Sequence, residues 1–138
     1  MEIGNIRRNK RNMKKYLHIK EIKIPIYRGS LIITLTNSAK KLQKYIPDFE
    51  DRDIYAHSYL ADYKGTQGYY IILNFDNKYR KIKHGTIAHE AAVHIPNFIA
   101  INRGIEPDFV NDEPIAYLAE WITDNVYKFL SKHKMIVK

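Results

Sequence analysis

The order of apolar patterns along this 138-residue chain predicts an α+β fold: a small antiparallel or mixed sheet of two hairpins, packed on two helices. Three observations point to it. Alternation with period two occurs in two separate stretches, around residues 22–36 and 54–75. Helical spacing occurs in two later stretches, beginning near Thr86 and near Asp112. A short helical pattern lies between the strand pairs, so the order is strands, helix, strands, helix, helix.

In the first pair, "EIKIPIYRG" sets Ile22, Ile24 and Ile26 on one strand face. Pro25 cannot donate to a ladder, which assigns this strand to a sheet edge. "GSLIITLTN" alternates Leu31, Ile33 and Leu35 against Ile32, Thr34 and Thr36, and Gly29-Ser30 supplies the turn of a hairpin. In "SAKKLQKYIP", Ser38 can cap a short helix, Ala39, Leu42 and Ile46 line one side, and Pro47 stops it. The second pair places Tyr55, His57, Tyr59 and Tyr63 on one face, with Gly65 and Gly68 in its loop. "YYIILNF" is apolar on both faces, as a central strand requires.

A helix is expected from about Thr86 to Asn102, stopped by Gly104. The last helix is expected from Asp112–Pro114 to about Leu130, with Ile115, Leu118, Ala119, Ile122, Val126 and Phe129 as its core stripe.

Residues 1–20 read as a basic tail whose composition favours disorder, and 21–138 as one domain. Residues 1–23 hold eight Lys/Arg against Glu2 and Glu21, and the chain carries a net charge of +8. Such a cluster can contact nucleic acid, although charge runs are more often solvated. Met13 offers an alternative start. No apolar run follows the basic start, and none is long enough to span a membrane, so a cytoplasmic protein is expected. With no cysteine, disulfides and thiolate metal sites are excluded, and any metal must be held by His, Asp or Glu.

The chemistry concentrates in "GTIAHEAAVHIPNF", residues 85–98. Two His at i and i+4 on a helix bind zinc from one face, and a Glu beside the first serves as general base. Here His89-Glu90 is followed by His94 at i+5. Five residues of α-helix leave a net rotation of about 140°, so a regular helix cannot aim both imidazoles at one ion. Pro96 offers a way out, since it lacks an N–H and clashes with the carbonyl of Ala92. A π-bulge there would absorb the extra residue and turn His94 back toward His89. The alternative is a simple kink with His94 facing elsewhere.

A third ligand is available in "NDEPIAYLAEW". Glu113 lies 24 residues after His89 and 19 after His94. An ordinary helix start explains the same residues: Asp112 as N-cap, Glu113 at the positive end, Pro114 in the first turn. Tyr117 and Glu120 share Glu113's helix face. They could support the ligands, and Tyr117 could hydrogen-bond a reaction oxyanion. His84 is a weaker candidate ligand, and His57 a candidate substrate contact.

On "TIAHEAAVHIPNFI" and "NDEPIAYLAEWI", over roughly residues 54–130, the chain resembles a compact gluzincin-type zinc metallopeptidase domain. More narrowly, it resembles short phage-encoded proteins that carry a His-Glu helix followed by an Asp-Glu-Pro helix. The resemblance implies His89 and Glu113 as zinc ligands, with His94, one position late, as the second His ligand. It implies Glu90 as the base for peptide-bond hydrolysis. It implies a peptide or protein substrate, and a host cytoplasm or virion as location. Two alternatives stand beside it: a catalytically inactive binding or virion-associated protein of the same fold, and a basic nucleic-acid-associated protein.

Overall fold

A computed structural model describes residues 14–50, 55–73, 81–106 and 108–136. The elements are β1 (Leu17–Lys23), β2 (Ser30–Thr36), α1 (Ala39–Leu42), β3 (Ala56–Tyr63) and β4 (Thr66–Leu73), followed by α2 (His84–Ile87), a π-helix (Ala88–His94), α3 (Ile95–Arg103) and α4 (Glu113–Lys132). The sheet order is β1-β2-β4-β3. Each hairpin is antiparallel, and the two join through a parallel β2–β4 pairing in which Ile33 faces Ile71. The expected α+β architecture is therefore present as one mixed sheet of four strands.

The two interior strands are apolar on both faces because both faces are covered. On one side Leu31, Ile33, Leu35, Tyr69, Ile71 and Leu73 pack against residues of the later helices. On the other, Ile32, Tyr70 and Ile72 pack against Ala39, Leu42, Ile46 and Phe49. Consecutive strand residues point to opposite faces, so one run of seven builds both cores. Each fully buried Ile or Leu contributes about 1.5–3 kcal/mol relative to exposure.

Ser38 caps α1 as expected, its side chain accepting from the Lys41 N–H. Gly104 ends α3 in the left-handed conformation, φ 68°. In α4, Leu118, Ile122, Val126 and Phe129 are buried, as is Leu130, while Ile115 and Ala119 are half-buried. Asp112 occupies the N-cap position of α4 but makes no side-chain cap hydrogen bond.

Three expectations need correction. Leu17–Lys20, expected in the tail, form the first half of β1, because Leu17, Ile19 and Ile22 are half-buried and Leu17–Lys23 pairs with β2 along its whole length. Residues 1–13 of the expected tail lie outside the described residues. β1 is an edge strand, but Pro25 lies beyond its end, and Ile26 does not continue the Ile22–Ile24 face. The Tyr27 N–H donates to Pro25 O at 2.7 Å across a three-residue turn, and Ile26 stands 98% exposed with φ 69°. Finally, Tyr55 packs on the helix-side core whereas Tyr59 and Tyr63 pack on the α1 side. Tyr55 precedes β3, so strand alternation does not govern it.

Among the described residues, no helix is long and apolar enough to cross a membrane.

Candidate metal centre

From His84 to Arg103 the chain is helical without interruption, but its middle is wound as a π-helix from Ala88 to His94. The Ile95 N–H donates to Glu90 O, five residues back. The irregularity is a full seven-residue segment, wider than a single bulge, and it ends just before Pro96. Because proline has no N–H to give, no α-type hydrogen bond from Pro96 to Ala92 O is forfeited when the preceding turn leaves α geometry.

The wider turn cancels the rotation that separates i and i+5 in an α-helix. The two imidazoles meet: His94 Nε2 and His89 Nε2 lie 2.9 Å apart, with ring centroids 4.4 Å apart and planes at 73°. Two nitrogens bound tetrahedrally to one zinc at 2.0–2.1 Å would lie roughly 3.3 Å apart, so this separation is close to that of a shared ion. His94 also stacks on Phe98, one turn on.

Glu90 sits beneath the pair, 5% exposed, with Oε1 3.9 Å from His89 Nε2. Ser58 Oγ donates to Glu90 Oε2. A buried carboxylate is costly unless hydrogen-bonded and matched by positive charge. One hydroxyl and two imidazoles converging on it leave a place that suits a cation. One ligand atom from each of His89, Glu90 and His94 lies within 4.8 Å of the others, so this group could hold a metal ion.

The other expected site residues are placed as follows. Glu113 is the first residue of α4, exposed and outside that group. Its helix packs directly on the π-helix. Tyr117, 65% exposed, lines an apolar cleft with Pro25, Tyr27 and Trp121. Glu120 is exposed on α4. His84 stacks on Tyr127 and its Nδ1 lies 2.6 Å from that hydroxyl. His57 lies against Tyr59, on the face of β3 opposite Ser58.

Ser58 is the site residue that sequence reasoning missed. The available signal was its parity: it alternates with Ala56 and Leu60 on the helix-facing side of β3, opposite Ile71. A small polar residue at an inward position asks for a buried partner. Tyr59 and Tyr63 of the same strand lie on its other face, toward α1.

Comparison of the chain with protein-family models, with curated proteins and with solved structures finds no match.

Proposed function

We propose that the protein is a zinc-dependent metallopeptidase-like hydrolase, with His89, His94 and Glu113 as metal ligands and Glu90 as general base. The observation that carries this reading is the approach of the two imidazoles above a buried glutamate. Zinc, when bound, supplies Lewis acidity that brings the pKa of a water near neutrality. The two imidazoles must be neutral and present Nε2 to hold it. Glu90 takes the proton of the attacking water and delivers it to the leaving amine. Ser58 fixes one carboxylate oxygen and leaves the other turned toward the histidines. Among the described residues β3 has a strand neighbour on one side only, β4, and an extended peptide can align along its outer edge.

A second reading is a non-catalytic binding protein of the same architecture. It is favoured by the position of Glu113 outside the His89–Glu90–His94 group. Metal analysis and peptide hydrolysis on single variants separate the two. For the hydrolase, the purified chain takes up one zinc; Glu113→Ala and His89→Ala lose it; Glu90→Gln keeps it and loses hydrolysis. If Glu90→Gln loses zinc while Glu113→Ala retains it, Glu90 is a ligand and the hydrolase reading fails.

A further inference from the structure

A second constellation lies far from the π-helix in sequence, between the outer edge strand and the end of the last helix. β1 and the last turns of α4 enclose a cleft of about 670 Å³. Lys20 enters it from β1, and Lys128 and Lys132 from α4. Asn125, Lys128, Phe129 and Lys132 fall on one helix face by their three- and four-residue spacing. Among the described residues, no Asp or Glu lines this cleft.

The cleft also contains a stack of rings. His18 and His133 lie face to face, with centroids 4.2 Å apart and planes at 27°. Tyr16 extends the array beyond His18 at 5.3 Å, and Phe129 closes it beside His133 at 4.8 Å. His18 is exposed, so the array reaches solvent. Lysines near a helix C-terminus commonly serve only to offset its negative end. That account covers Lys128 and Lys132 but not Lys20, and not two imidazoles stacked among them. His133 is harder to protonate than a free histidine, first because of burial and then because of His18 and Lys132. Among the described residues the lining carries three lysines and no carboxylate, so an anion is the ligand it favours.

We propose that this cleft binds single-stranded nucleic acid, the three lysines taking phosphates and the exposed side of the His18 ring packing against a base. Cationic grooves with exposed rings are the general means of holding single strands, since every base offers a π-face. A volume of this size accommodates a nucleotide. Lys14 and Lys15, just before Leu17, add two more positive charges at the start of the same strand.

The test is fluorescence anisotropy of a labelled oligothymidine of about 16 nucleotides, titrated with the full chain at several salt concentrations and pH 8. Each lysine that meets a phosphate contributes about 0.7 to the slope of log affinity against log salt. Lys128→Ala/Lys132→Ala should therefore lower the slope by roughly 1.4. His18→Ala should weaken binding about tenfold with the slope unchanged, as loss of one stacked base does. Lys20→Ala gives an independent reading of the slope from the β1 side. An unchanged slope in all the lysine variants would mean that the basic start of the chain binds by itself, and the cleft proposal would be wrong. It would equally fail if a duplex of the same length, or vesicles of anionic lipid, bound more tightly than the single strand.

Discussion

His89 and His94, five residues apart, bring their Nε2 atoms to 2.9 Å because the backbone between them is wound one residue wider than an α-helix. The site thus rests on a backbone choice and not on spacing alone. Deletion of Val93, which is half-exposed in this segment, restores a four-residue interval that an α-helix can satisfy. If the parent takes up zinc as proposed, the variant is expected to take up one zinc per chain as well, and to melt at a higher temperature than the parent, since α geometry hydrogen-bonds better than π. Calorimetry and metal analysis decide it. A folded variant without zinc would mean that only the wider turn aims the imidazoles correctly.

Ser58→Ala removes the hydroxyl that donates to the buried Glu90. An unsatisfied buried acceptor costs about 1–3 kcal/mol. Urea unfolding of the metal-free protein should show a loss in that range. Ser58→Thr, which retains a hydroxyl, should recover part of it. Full stability in Ser58→Ala would show that Glu90 is satisfied by other means.

The phenol of Tyr70 lies in the core on the α1 side and donates to Asp62 O at 3.1 Å. Burial, then the neighbouring Tyr63, Asp62 and Tyr45, push its pKa up to about 12. In the unfolded chain it ionises near 10. The folded state therefore holds this proton more tightly than the unfolded state. Its contribution is complete below pH 10 and is lost as pH rises from about 10 to about 12. Unfolding midpoints measured across that window should fall more steeply for the parent than for Tyr70→Phe. Parallel curves would show that Tyr70 reaches solvent before the fold opens.

Much of the fold was legible from residue pattern. "YYIILNF" reads as a central strand because apolar residues on both faces need cover on both faces, and Tyr69–Leu73 are fully buried in β4. Gly104 and Ser38 mark helix ends through their own backbone and side-chain chemistry, and they do so here. Ile26 was not legible. It continues a period of two, yet Pro25 turns the chain and leaves it exposed with positive φ. β2 read as one arm of a simple hairpin, but it also pairs in parallel with β4, a partner more than thirty residues away. Local alternation carries no record of such a neighbour. The π-helix was legible as an option, because Pro96 removes an N–H and the His spacing needs one extra residue. Its extent over Ala88–His94 was not.

By itself, the sequence determined which chemistry is available: imidazole and carboxylate but no thiolate, on a helix that proline weakens at a defined point. It also determined the surplus of lysine and arginine. Tertiary structure alone decided that Ser58 from β3 meets Glu90, that Glu113 stands outside the histidine group, and that His18 stacks on His133. The physical reason is distance along the chain. Periodicity and capping act over one or two turns, whereas these contacts depend on how the sheet and α4 pack, which is set by many apolar residues together.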